Sequence, residues 1–189
     1  MRLARITVTA VAAFALAACS PSEEEPANEA GDAPATSEAA DSAAPGDAGE
    51  THGKECAAAD FAVEGELDAA PEITMPEDCD PPAELLIEDI EKGDGAAVKE
   101  GDTAEVHYFL AGFSDGQQLD ASWDRGETFP VENVGQAQVI QGWNDGLVGM
   151  TEGTRRLLVV PPELGYGASP GHQLEKETLV FVIDLVKVS

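Results

Sequence analysis

The sequence predicts an α+β domain, an antiparallel sheet with one short helix, preceded by a disordered acidic linker. Three observations carry this expectation. Apolar and polar residues alternate with period two over Thr103–Leu110, and Leu179–Val188 reads as a second strand with Leu179, Phe181, Ile183 and Leu185 on one face. Turn signals, Gly93-Asp94-Gly95, Glu100-Gly101-Asp102 and Ser114-Asp115-Gly116, separate the apolar runs. Only one stretch, Gln141 to Val148, reads as helical, and it is short.

In chain order, residues 1–18 read as a targeting segment. Basic Met1-Arg2-Leu3-Ala4-Arg5 precedes an apolar run, Ile6 to Ala18, too short to span a bilayer comfortably. The run ends Leu16-Ala17-Ala18-Cys19, which resembles the lipobox of bacterial lipoproteins, so Cys19 is expected to be lipidated and to anchor the protein to a membrane outside the cytoplasm. An ordinary secretory signal with a chance Cys is the alternative. Residues 19–55 form an acidic tether. From Ser20 onward they contain no aromatic residue and no Leu, Ile, Val or Met, so they cannot bury enough apolar surface to offset ordering entropy. The formal net charge of -27 argues against nucleic acid and anionic membrane surfaces as direct partners.

Of three cysteines, lipidation of Cys19 would leave Cys56 and Cys79 to pair in an oxidising compartment. Two free thiols are the alternative. No Cys-x-x-Cys pattern and no intervening His point to a metal there. Residues 56–82 read as a Cys-bounded extension, kept irregular by Pro71, Pro76, Pro81 and Pro82, and expected to pack on the edge of the domain.

The domain proper is 83–189. Leu85 to Ile90 reads as a strand, and Arg155 to Val160 as another. In Thr103–Leu110, Ala104, Val106, Tyr108 and Leu110 face one way, with Glu105 and His107 opposite. In the last strand Leu179, Phe181, Ile183 and Leu185 form one face, and Val180, Val182 and Asp184 the other. Gly142 and Gly146 give the helix poor intrinsic propensity, so packing must hold it.

The series Val106-His107-Tyr108, Asp115-Gly116, Leu119-Asp120-Ala121-Ser122, Arg125-Gly126, Phe129, Val139-Ile140-Gln141-Gly142-Trp143, Gly146, Met150, Pro162-Glu163-Leu164-Gly165-Tyr166-Gly167 and Thr178-Leu179-Val180-Phe181 resembles an FKBP-type peptidyl-prolyl cis–trans isomerase in its bacterial lipoprotein form. The resemblance implies a twisted sheet wrapped around the helix, with a prolyl pocket between them. It implies Trp143 as pocket floor, Tyr108, Phe129 and Phe181 as walls, and Val139 and Ile140 as one side, with the Ile140 N–H receiving a substrate carbonyl. Asp120 and Tyr166 would form the polar rim, with Arg125 pairing near Asp120. Leu119, where the family often has Phe, and Leu174, in a shorter and more charged loop over 168–177, would complete the substrate-binding wall.

Such a site needs no bond-breaking group. Rotation about a peptide bond costs about 18–20 kcal/mol, and X–Pro exchange takes tens to hundreds of seconds. A dry pocket that grips the twisted amide better than the planar one accelerates it. The implied partners are Pro-containing segments of exported proteins and macrolide inhibitors, with no cofactor and no metal; a monomer is expected. Other patterns are weak. His107 reads as an exposed sheet residue, and His52 and His172 as solvated. Ser122 has no nucleophile-elbow context, and Gly165, Gly167 and Gly171 do not open a helix after a strand. A second reading keeps the same pocket with little turnover, as a Pro-segment-binding, chaperone-like surface lipoprotein. A solute-binding lipoprotein would need a larger cleft.

Overall fold

A computed structural model of the protein describes residues 52–189. The targeting segment 1–18, Cys19 and nearly all of the 19–55 tether lie outside the described residues. No helix among the described residues is long and apolar enough to cross a membrane.

The elements in chain order are β1 (Ala62–Glu64), β2 (Glu72–Thr74), β3 (Leu86–Glu91), β4 (Ala104–Gly112), β5 (Gln118–Ala121), β6 (Phe129–Val131), α1 (Gln141–Leu147), β7 (Arg155–Val160) and β8 (Leu179–Val188). The six strands β3 to β8 form one antiparallel sheet in the order β3-β7-β8-β4-β5, with β6 also on β4. Because β8 takes the whole of one edge of β4, β5 and β6 lie end to end along its other edge. Leu110 faces Asp120 in one half, and Val106 faces Phe129 in the other. The twisted sheet wraps around α1, as the fold class predicted.

Strand alternation gives the sheet two apolar faces. Ala104, Val106, Tyr108 and Leu110 of β4, Leu158 and Val160 of β7, and Leu179, Phe181, Ile183 and Leu185 of β8 meet Trp143 and Leu147 of α1 in the main core. The two glycines of α1 explain why so poor a helix former is held so closely. A Cβ at Gly142 would lie 2.5 Å from Val160 Cγ1, and one at Gly146 2.7 Å from Leu158 Cδ1. Hydrogen at these positions lets the helix sink onto β7. Arg156 secures its C-terminal end, donating from Nη1 to the Gly146 carbonyl at 2.7 Å while Nε pairs with Asp89.

The other face carries Leu157, Val159, Val180 and Val182, and residues 56–82 cover it. This corrects the expected edge packing: the extension lies across the face, because that face is too apolar to leave in water. It is also less irregular than its prolines suggest, since β1 and β2 pair as a small antiparallel ladder. Phe61 packs edge-on against Phe113 at 6.1 Å. Cys56 and Cys79, both buried, are joined by a disulfide. Arg155 points to this side and fixes the extension polarly. Its guanidinium donates to the Gly65 and Ala69 carbonyls, each at 2.8 Å, and pairs with buried Asp184 at 2.6 Å.

Replacing both Cys56 and Cys79 with Ser is expected to lower stability by about 3 kcal/mol in the chain-entropy model. The midpoint of urea unfolding, compared between the variant and the oxidised protein, measures this. A shift under 1 kcal/mol would mean that contacts alone hold the extension.

Candidate active site

β4 supplies the first wall, because its inward positions alternate through Tyr108 and Leu110. The edge strands beside it are interrupted after Ala121, and the interruption shapes the rim. Ser122 continues the ladder with its side chain: its N–H donates to the Tyr108 carbonyl, and its Oγ accepts the Tyr108 N–H, both at 2.9 Å. A 3-10 turn, Trp123–Arg125, then reverses the chain and closes on Gly126 at φ 67°. This turn brings Arg125 back over β5. Its Nη1 donates to Asp120 at 2.6 Å, its Nη2 to the Tyr108 hydroxyl at 2.7 Å, and its guanidinium lies over the Tyr108 ring.

The Tyr108 hydroxyl donates to Asp120 Oδ2 at 2.5 Å, completing a phenol–carboxylate–guanidinium cluster. Burial raises the Tyr108 pKa, and the hydrogen bond to Asp120 adds to the rise. At Asp120 burial pulls upward, but hydrogen bonds from Tyr108 and Arg125 and the Arg125 charge outweigh it and hold the carboxyl below its ordinary value. The sign follows. A carboxylate lowered in the folded state stabilises the fold above its unfolded value of about 4 and loses that contribution as pH falls through the lower folded value. The cluster is therefore expected to stay intact from pH 7 to 5 and to weaken below about pH 4. The Tyr108 ring resonances followed by NMR across that range report it.

Trp143 sits at the start of α1, 4% exposed. The Tyr108, Phe129 and Phe181 rings stand edge-on to it, with centroids at 5.3, 5.9 and 5.4 Å. The segment before the helix is held by Asn144, which is buried on α1. Its Oδ1 accepts the Ala137 N–H at 2.8 Å and its Nδ2 donates to the Ala137 carbonyl at 3.1 Å. Val139 and Ile140 are thereby fixed against the cavity. The Ile140 N–H donates to no acceptor among the described residues. Tyr166 follows the 3-10 turn Pro162–Leu164. The Gly167 N–H closes on the Pro162 carbonyl at 2.7 Å, and a Cβ at Gly167 would lie 2.6 Å from that oxygen. The Tyr166 ring stacks on His172, centroids 4.1 Å apart.

These elements enclose a cavity of about 230 Å³. Tyr108, Asp120, Phe129, Val139, Ile140, Trp143, Tyr166 and Phe181 all line it, and so do Leu110 and Gln138. Arg125, expected among the substrate-binding residues, does not line it but stands behind the rim, bonded to Asp120 and Tyr108. Two expected wall residues are elsewhere. Leu119 is 42% exposed and does not line the cavity, because the pleat of β5 turns it away from the face to which Asp120 belongs. Leu174 packs half-buried on the main core without lining the cavity. Leu110 was legible as an inward strand position, though not as a cavity wall. Gln138 and Asn144 had no signal, since their roles come from a loop that meets the helix only in three dimensions. His107 is half-buried, stacked on Trp123 at 5.0 Å and bonded to Ser122 Oγ at 2.9 Å. It braces the rim turn rather than facing solvent.

The cup is smaller than the roughly 300–1,000 Å³ of drug-sized sites, and its lining is largely aromatic and aliphatic with the Asp120 carboxylate at its rim. Comparison with known proteins names the class. Residues 95–186 match the family of FKBP-type peptidyl-prolyl cis-trans isomerases. The chain is 46% identical over 121 residues to the FK506-binding protein of Streptomyces anulatus, covering 62% of this chain and 96% of that one. It is 39% identical over 106 residues to the FK506-binding protein of Neisseria meningitidis serogroup B, covering 55% and 95%. Among solved structures, FkpA from Escherichia coli aligns with a TM-score of 0.50 at 37% identity, covering 56% of this chain and 48% of that chain, so about half of FkpA is spanned. The protein belongs to the FKBP-type peptidyl-prolyl cis–trans isomerase family.

Proposed function

We propose that this isomerase acts on X–Pro bonds of exported polypeptides from a lipid anchor at Cys19, with the cavity over Trp143 as its active site. The observation that carries the site is the convergence of the eight lining residues named above on one cavity. The pyrrolidine ring sits on Trp143 between Phe129 and Phe181. The free Ile140 N–H receives a carbonyl of the substrate. The amide becomes less dipolar as it twists, so apolar walls favour the twisted state over the planar one, and only that difference accelerates rotation. Asp120 holds the Tyr108 hydroxyl and Arg125 in register at the rim.

An NMR-exchange assay on X–Pro peptides tests this. The protein is expected to accelerate exchange, and Asp120→Ala to lower kcat/KM about tenfold, or ~1.4 kcal/mol of differential binding, with the fold retained by circular dichroism. Unchanged kcat/KM in that variant would remove Asp120 from the site.

The export reading is supported by the Cys56–Cys79 disulfide, which suits an oxidising compartment, and by the Leu16-Ala17-Ala18-Cys19 pattern. Membrane fractionation of Cys19→Ala against the unaltered protein tests the anchor. A macrolide ligand is supported by relatives named for FK506, and the domain is proposed to act as a monomer.

A further inference from the structure

Beside the prolyl cavity runs a second groove of about 630 Å³. Phe129, Gln138 and Val139 line both, so the two form one continuous surface. From this we infer a further subsite: the groove takes the side chain of a residue flanking the substrate proline and selects a cationic one, Lys or Arg. The inference rests on the isomerase reading of the neighbouring cavity.

The groove is built rather than incidental. Its wall is β6 and the segment 132–139, tied down at three places. Val131 is buried and paired with Ala104 of β4. Val134 is buried and bonded to the turn before β4 in both directions: Gly101 N–H donates to its carbonyl at 2.9 Å, and its own N–H donates to the Asp102 carbonyl at 3.0 Å. Asn144 holds Ala137, as described. The chain between these ties turns through two left-handed residues, Asn133 at φ 60° and Gly135 at φ 90°. A wall fixed in this way is preformed for a ligand and need not be ordered on binding.

The chemistry of the lining points to one kind of side chain. Phe129 and Val139 offer apolar surface next to the prolyl cavity. Asn133, Gln136 and Gln138 contribute amides. Glu132 is the one ionisable residue lining the groove, and it makes no ion pair among the described residues. The carboxylate of the adjoining cavity, Asp120, is already paired with Arg125. The unmatched charge on this surface is therefore negative, in a lining whose other residues are apolar or carry amides. A Lys or Arg beside the proline can lay its methylene stem along Phe129 and Val139 and place its head at Glu132. A Glu at the same position meets a like charge.

Peptides with Lys, Leu or Glu directly before the proline, and a second set varied directly after it, test this by NMR exchange at low salt. In the unaltered protein the Lys-over-Leu ratio of kcat/KM is expected to be about two- to fivefold at one flank, the scale of an exposed ion pair. Glu132→Lys is expected to reverse it at that flank, with Glu now favoured. Glu91→Gln, on strand β3 at the opposite edge of the sheet, is the control for the general acidity of the chain and should leave the ratio as it was. An unaltered ratio in Glu132→Lys, or an equal fall in the control, overturns the subsite while leaving the isomerase intact. No turnover of any peptide by the unaltered protein removes the isomerase reading, and the subsite with it.

Discussion

Trp143→Ala is expected to lose about 3–5 kcal/mol of folding stability and about a hundredfold or more in kcat/KM, equal to ~2.7 kcal/mol of differential binding. The stability loss follows from burial: the indole is 4% exposed and three aromatic rings stand against it. Each edge-on pair is worth roughly 0.5–1.5 kcal/mol beyond area burial. The expected catalytic loss follows from the proposed place of Trp143 as the floor, where loss of the ring would admit water and release the pyrrolidine. Trp143→Leu separates the two effects, because it retains bulk and loses the flat surface. Both variants should be assayed where circular dichroism shows them folded. A Trp143→Leu protein with unaltered kcat/KM would show that the floor is only packing.

The second large effect lies on the other face of the sheet. Arg155→Met is expected to lose about 3–5 kcal/mol, because it strands a buried carboxylate. The Arg155 and Asp184 side chains are 2% and 3% exposed. The guanidinium also satisfies the Gly65 and Ala69 carbonyls, so the change unties the extension as well. Removing both charges, in Arg155→Met with Asp184→Leu, is expected to recover much of the loss, since an apolar pair of similar volume avoids the desolvation of two ions. Urea midpoints of the single and double variants measure this. A single variant that loses less than 1 kcal/mol would mean that water reaches Asp184 readily.

The parts of the fold legible in the sequence were long apolar runs bounded by turn residues. β4, β7 and β8 are central strands; the two faces of β4 and β8 could be assigned from their alternation, whereas β7, buried along its whole length, was legible only as a strand. β5 and β6 were not legible as strands. They are short edge segments, largely exposed, and their pairing depends on β4 rather than on their own pattern. The hairpin of β1 and β2 was hidden by prolines that flank its strands, Pro71 in the connection and Pro76 beyond β2, rather than interrupt them. The site was legible where a motif stays local, as in Val139–Trp143 or Tyr166–Gly167. It was not where one residue reaches across the chain. Leu119 was misplaced because a strand neighbour of Asp120 must face the other way. Arg155 read as an ordinary strand residue because its partners, Gly65, Ala69 and Asp184, are distant in sequence.

The two glycines of α1 set a dimension of the enzyme. The height of the indole above the sheet is governed by how far the helix can descend, and the descent is stopped by Val160 and Leu158. A single methyl group at position 142 or 146 would act as a shim under the helix. It would push α1, and Trp143 with it, away from β7 without altering any residue that lines the cavity. The seat of the helix that carries Trp143 is thus held as a mechanical clearance, by atoms that are absent from two positions on its sheet-facing side.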